Sequence, residues 1–480
     1  MPARLIYSQT VTLFEPESLR HAARTTADWY ASWLEGLEDR RVDPCAEPGA
    51  LRGKFAGTVA DVGIGLERAI EEVRELVVPH SMTTPHPQYL GLINSSPLPG
   101  APLADLIVSA LNNNCGASHQ SPALTAAEGE VVRAFAALFE CNPADGLIVP
   151  GGTYANLHGL LMARAHAFPG WRRDGVAAIP NGATLYTSEA AHFSIARAAQ
   201  VLGFGERQIV AVPGRGRGEM DVAALAARIT TDRRDGATPF AVVATVGTTG
   251  TGAIDPLAAI AQVCRREEVW FHVDACYGGA AALVRSSRDD LDGVELADSL
   301  AVDPHKWFFI PVAAGLLLTR HGAMMRECFA TQASYIPDAA PDDAFLRGVA
   351  TSRRGSGFTV WFALRAHGWQ PIREAVQRNI DLTRTLEALL AKRGFRVLAG
   401  GRLSTACARF EPDGWDPERL DALQAQITAT AVASGQTWFA TVRHEGRRWL
   451  RLNMVNLHTR ERHVRAVANL LTGIASELVD

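Results

Sequence analysis

The sequence predicts an α/β fold built on a mostly parallel central sheet, with an N-terminal helical segment and a small C-terminal α+β domain. Two observations carry that prediction. Short continuous apolar runs alternate with helical stretches through the middle of the chain, the pattern of strands covered on both faces by crossover helices. After about residue 368 the alternation gives way to a long helix and then closely spaced strand-like segments. The 480 residues can bury a large core and a second, smaller one. The expected boundaries are 1–85 for the helical segment, 86–368 for the large domain and 369–480 for the small one.

Taken in order, residues 16–40 and 60–78 read as helices, because Trp29, Trp33 and Leu37, then Ile64, Ile70, Val73 and Val77, recur at helical spacing. Thr125 and Glu128 read as a capping box ahead of Val131, Val132, Phe135 and Leu138. Strands are expected at 147–149, 184–187, 209–212, 241–246, 269–273, 300–302 and 315–318. Helices are expected between them at 153–166, 194–203, 221–233 and 255–268. Asp221 is a natural N-cap, and Asp255 before Pro256 gives a cap with proline in the first helical position. Helices at 371–393, 417–433 and 460–478 and strands at 395–399, 404–410, 437–442 and 448–455 complete the small domain. No internal repeat or low-complexity stretch interrupts the chain.

Bulk properties narrow the function. A net charge of −4 and a pI near 6.4 leave no basic footprint for nucleic acid. No run of eighteen apolar residues suggests a membrane span, and the first residues lack a signal-peptide core. Seven scattered cysteines without a Cys-x-x-Cys pair suit a reducing cytoplasm and argue against structural metal or a disulfide framework.

The chemistry concentrates at expected strand ends, where open α/β sheets bind ligands. Lys306 lies in Asp303-Pro304-His305-Lys306-Trp307-Phe308-Phe309-Ile310. Burial there lowers a lysine's hold on its proton, and a neutral amine attacks carbonyls. Asp274 ends the apolar run Val269-Trp270-Phe271-His272-Val273. Such a carboxylate needs a cation or a strong donor. A strand-end acid and a downstream buried lysine meet the needs of pyridoxal phosphate: the lysine takes the aldehyde, and the acid keeps the pyridine nitrogen protonated.

Three further motifs fall at neighbouring strand ends. Gly151-Gly152-Thr153-Tyr154-Ala155-Asn156 opens a helix and can cradle a phosphate on free N–H groups. His192 follows the next strand and could stack on a ring; Thr248-Thr249-Gly250 follows another. Each alone competes with a plain turn or a core anchor. Their order at successive strand ends is what gives them weight.

Together with His86-Pro87-Gln88-Tyr89, Ala297-Asp298-Ser299 and Asp303-Pro304-His305-Lys306-Trp307, these motifs make the chain, from about residue 60 onward, resemble the group II pyridoxal phosphate-dependent amino-acid decarboxylases of fold-type I. The resemblance implies a transferase-like fold, decarboxylation of an L-amino acid to an amine and CO₂, and a homodimer. It implies that Lys306 holds the cofactor's aldehyde, Asp274 pairs with the ring nitrogen, His192 stacks on one ring face and Cys276 meets the other. Thr249 would contact the ring edge, and Gly152, Thr153 and His305 the phosphate. Tyr335 falls where the family keeps a catalytic loop tyrosine, the expected donor of a proton to the product carbon. Cys276 and Asp303 depart from the alanine and asparagine that many relatives carry.

Leu92, Ile93, Asn94 and Ser95 fall where the family lines its side-chain pocket, and Ser352 where related plant enzymes meet a phenolic ring. With none of the four pocket positions basic, an aromatic substrate of the tyrosine, DOPA, tryptophan or phenylalanine type is expected. Glutamate, aspartate or diaminobutyrate is the alternative substrate. Oxidative conversion to an aldehyde is an alternative reaction, and a cofactor-free binding protein an alternative role.

Overall fold

The computed structural model describes residues 15–330, 340 and 342–479. Its centre is a seven-stranded sheet in the order β1-β9-β8-β7-β6-β2-β3. In chain order the strands are β1 (Asp145–Val149), β2 (Ala183–Ser188), β3 (Ile209–Val212), a hairpin of β4 (Gly214–Arg215) and β5 (Glu219–Met220), then β6 (Thr238–Thr245), β7 (Trp270–Asp274), β8 (Ser299–Val302) and β9 (Gly315–Thr319). Neighbours from β3 through β2, β6 and β7 to β8 run parallel, and only β9 runs against the rest. The apolar runs are continuous because both faces are covered. Along β6, Ala241 and Val243 enter one core while Val242 and Ala244 enter the other, the two-residue period of a strand.

Two expected helix starts fall differently. The helix Pro122–Leu138 begins at Pro122, behind Ser121, and Thr125 sits inside it with its hydroxyl on the Ser121 carbonyl at 2.7 Å. Proline at the first position outweighs the Thr-x-x-Glu pattern. Glu128 instead accepts the Ile148 N–H at 3.1 Å and pairs with Arg353 at 2.7 Å. Asp221 caps its helix by accepting from Ala223 and Ala224. Asp255 caps nothing: its carboxylate accepts the N–H groups of Met220 and Thr245, both at 2.7 Å, clamping the β4–β5 hairpin to the end of β6.

Burial pushes the Asp255 carboxyl up to about 7 against those two N–H bonds. A raised folded value means that its contribution to stability is present at low pH and is lost as pH rises from 3.8 through about 7. Asp255→Asn supplies one acceptor where two are needed, and should destabilise the fold by about 1–3 kcal/mol. It should also flatten the pH dependence across that window. Urea unfolding at several pH values checks both.

The small domain is an antiparallel sheet in the order β10-β11-β13-β12, from β10 (Phe395–Val397), β11 (Thr405–Phe410), β12 (Ala440–His444) and β13 (Arg447–Asn453). The helices Trp369–Lys392, Pro417–Ala433 and Glu461–Glu477 cover it. Buried polar groups bind it to the large domain. The Tyr277 hydroxyl meets Ser404 Oγ at 2.7 Å and Asn453 Nδ2 at 2.9 Å. Buried Arg217 donates to the carbonyls of Thr251 at 3.0 Å and Leu398 at 2.6 Å.

At the N-terminal end, helices span Pro16–Glu35, Pro48–Phe55 and Leu66–Glu72, the last continuing as a π-turn through Val73–Val77. Phe55, Val59, Val62, Ile64 and Val73 are exposed there. A separate helix, Ala101–Leu111, exposes Leu103, Leu106, Ile107 and Leu111.

Candidate active site

The carboxyl ends of β1, β2, β6, β7 and β8 open into one cavity of about 350 Å³. Gly152, Thr153, His192, Thr249, Asp274, Cys276, His305 and Lys306 all line it, so every position expected to hold the cofactor shares a single space. At its cradle the helix Gly152–Ala167 starts directly behind β1. A Cβ on Gly152 would fall 2.4 Å from Cys276 Sγ and 2.7 Å from Asp303 Oδ2, so only glycine permits this approach.

Lys306 Nζ lies 2.9 Å from Asp303 Oδ2. Burial alone would loosen the lysine's proton, but Asp303, Cys276 and Asp274 outweigh it and hold the group above the ordinary lysine value. The neutral amine expected from burial is therefore not what this arrangement favours. Asp303, which an anion-binding pocket should exclude, is tolerated because Lys306 compensates it; its Oδ1 is buried with no partner among the described residues. Asp303→Asn removes the largest influence holding the proton on Lys306. Attachment of cofactor that borohydride can fix should then persist to lower pH than in the parent, which a labelling series across pH would show.

Asp274 is anchored from two sides. Its Oδ1 accepts the Cys276 N–H at 3.1 Å, and its Oδ2 accepts Asn156 Nδ2 at 3.1 Å. His192 Nδ1 lies 2.8 Å from Ser194 Oγ. Burial pushes His192 below the usual histidine value, and the nearby Lys306 and Arg197 add to that while Asp274 and Asp303 oppose it.

The expected side-chain pocket is not brought together in the same way. Ile93 is buried in the large-domain core rather than facing the cavity. Leu92 and Asn94 are exposed, and the Ser95 hydroxyl is spent on the His305 carbonyl at 3.2 Å. Ser352 lines a second cavity, of about 290 Å³, which shares only Pro150 and Tyr154 with the first. Tyr335 lies outside the described residues.

Arg451, from the middle of β13, had no place in the sequence reading. Its guanidinium donates to the carbonyls of Thr249 at 2.8 Å and Leu92 at 2.9 Å, and Nη2 is buried with no partner among the described residues. The signal available was an arginine inside the buried strand run Trp449-Leu450-Arg451-Leu452, where an unpaired charge is costly.

Residues 48–409 match the family model for the pyridoxal-dependent decarboxylase conserved domain. The chain belongs to that family. Among curated relatives, this decarboxylase is 34% identical to mouse cysteine sulfinic acid decarboxylase, covering 76% of this chain and 75% of that one. It is 32% identical to L-2,4-diaminobutyrate decarboxylase of Rhizobium meliloti, covering 87% and 84%. Among solved structures, rice TDC with pyridoxal phosphate and tryptamine superposes with a TM-score of 0.92 at 25% identity, covering 98% of this chain and 100% of that one. Pyridoxal phosphate is thus the cofactor, and the residues of the large cavity fit it: a glycine cradle at a helix start, a lysine, and an acid anchored at a strand end. No described helix is long and apolar enough to cross a membrane.

Proposed function

We propose that this pyridoxal phosphate-dependent amino-acid decarboxylase acts on an L-amino acid with a short polar side chain, acidic or amino-bearing, rather than an aromatic one. The gathering of Lys306, Asp274 and His192 around one cavity supports the reaction. When bound, the cofactor supplies an aldehyde for the substrate amine and a ring that accepts the electrons released with CO₂. Lys306 would hold the aldehyde and release it to the substrate amine. Asp274 would keep a proton at the ring nitrogen. His192, which follows β2, would hold the ring in place.

The names of the relatives carry the substrate class. Arg451, buried against the carbonyls of Thr249 and Leu92 but outside the cavity lining, adds a cation near Thr249 whose Nη2 has no partner among the described residues. Relatives 30% or more identical are named for cysteine sulfinic acid, acidic amino acids and diaminobutyrate. The aromatic reading keeps one observation, the exposed apolar Leu92, and loses the support of Ile93 and Ser352. CO₂ release from a panel of cysteine sulfinate, aspartate, glutamate, diaminobutyrate, tyrosine, DOPA, phenylalanine and tryptophan decides. A tenfold or greater preference for any aromatic member would reject the short-chain proposal.

Tyr335 is proposed as the donor that protonates the product carbon. Tyr335→Phe should retain cofactor while amine formation falls on the order of a hundredfold, with aldehyde, ammonia and peroxide appearing only under air. Wild-type amine production by the variant would reject that role and turn attention to His192.

A homodimer is also proposed, because the exposed leucines and isoleucine of the helix Ala101–Leu111, with Val312 and Val349 nearby around the second cavity, form an apolar face suited to a second copy. Sedimentation showing an active monomer would exclude it. Seven unpaired cysteines, six of them buried, support a cytoplasmic setting.

A further inference from the structure

Behind Asp274 lies a buried chain of polar groups that the reaction itself does not require. A carboxylate can only accept, so the Asn156 amide presents Nδ2 to Asp274 Oδ2 at 3.1 Å. The second Nδ2 hydrogen meets Ser194 Oγ at 3.0 Å. Asn156 Oδ1 consequently faces His272 Nε2 at 2.9 Å, which must carry the proton there. His272 Nδ1 then accepts from Ser299 Oγ at 2.7 Å, and that oxygen accepts the Trp270 indole N–H at 2.8 Å. Burial pushes His272 down to about 4, so one ring nitrogen donates and the other accepts.

The other arm runs to the cavity. Ser194 Oγ accepts from Asn156 and spends its single hydrogen on His192 Nδ1 at 2.8 Å; the Ser194 backbone N–H points at the same nitrogen at 3.2 Å. With Nδ1 accepting from both, the His192 proton is left on Nε2. Asn156, Ser194, His272 and Ser299 are each 1% exposed or less. The helix carrying Asn156 lies so close to β7 that a Cβ on Gly159 would fall 2.5 Å from the His272 ring. The donors and acceptors therefore have one consistent assignment, and it is set from the charged end, Asp274.

We infer that Asn156 and Ser194 are positioning residues that tie the ionised state of Asp274 to the Nε2–H tautomer of His192. The inference rests on the reading that these two residues bracket the cofactor ring. It makes the acid at the ring nitrogen and the imidazole on the ring face one linked unit. His192 is held neutral, and its N–H is kept on the nitrogen away from Ser194. A structural anchor would need the hydrogen bonds but would not fix the tautomer at the cavity end.

The test is ¹⁵N NMR of histidine-labelled enzyme, with the His192 signals assigned by their loss in His192→Gln. The expected result is a neutral ring protonated at Nε2 in the parent and an added Nδ1-protonated fraction in Ser194→Ala, where only the longer 3.2 Å backbone N–H still points at Nδ1, with the parental pattern regained in Ser194→Thr. A parent protonated at Nδ1 overturns the inference, whether or not any variant folds. In kinetics, Ser194→Ala should lower kcat roughly tenfold, what one hydrogen bond converts to, with KM changed less. The acid limb of its profile should rise by roughly half to one pH unit. The charged groups facing His192 are Asp274 at the end of β7, Asp303 and Lys306 after β8, and Arg197 on the helix Ser194–Val201 that follows it. All are retained in the variant, so an unmoved limb together with an unchanged tautomer also overturns the inference. The NMR arm needs no turnover, so a failure to decarboxylate any amino acid would count against the proposed function and leave the tautomer decided.

Discussion

Lys306→Ala is expected to lower amine formation on the order of a thousandfold or more, since on the proposed reading it removes the amine that would hold the cofactor's aldehyde. The same variant should lose the cofactor label that borohydride fixes on the parent, while folding normally: the side chain pairs with Asp303 rather than filling the core. Asp303 is then left buried without its cation, a cost of a few kcal/mol. The double variant Lys306→Ala, Asp303→Asn separates that stability loss from the catalytic one. If the single variant keeps its label, and peptide mapping finds it on another lysine, the assignment of Lys306 fails.

Asp274→Asn is expected to lower kcat on the order of a hundred- to thousandfold, the range for removing a preorganised charge at the reacting centre. The amide keeps the shape of the acid and still accepts the Cys276 N–H through Oδ1. It no longer obliges Asn156 to present its donor, and it cannot hold a proton on the ring nitrogen by charge. Lys306 is untouched, so the borohydride label should persist. Retention of label with collapse of kcat is the expected signature; wild-type kcat would remove Asp274 from the proposed mechanism.

What the sequence disclosed follows from what is local. The strands of the large sheet were legible because burial on both faces writes continuous apolar runs, as in β6 and β9. That the eight positions share one cavity was legible because each sits at a strand end or the turn beyond it. Helix starts were less so, since Ser121-Pro122 and Thr125-x-x-Glu128 both satisfy capping rules; the proline at the first position, with Glu128 spent on Ile148 and Arg353, chooses between them. Asp255 looked like a cap because its real partners, Met220 and Thr245, lie on other elements. The apolar character of Ile93 was plain, but its direction depends on how residues 89–95 dock on the small domain. Asn156 and Ser194 read as ordinary polar helix residues until β7 is beneath them. The family resemblance carried the reaction and the cofactor. It did not carry the substrate, and contacts such as those of Arg451 with Thr249 and Leu92 are long-range and not written locally.

The contact between Arg451 and Thr249 joins positions 202 residues apart. A ribosome adding roughly 5–20 residues per second takes some 10–40 s to travel between them. The glycine cradle is made before that interval, and Asp274 and Lys306 are made within it, while the guanidinium beside Thr249 does not yet exist. Synthesis therefore orders assembly: the strand-end residues that line the cavity come first, and the guanidinium beside Thr249 comes last. A nascent chain can carry every residue of the cavity wall before the arginine that braces the turn at Thr249 has left the ribosome.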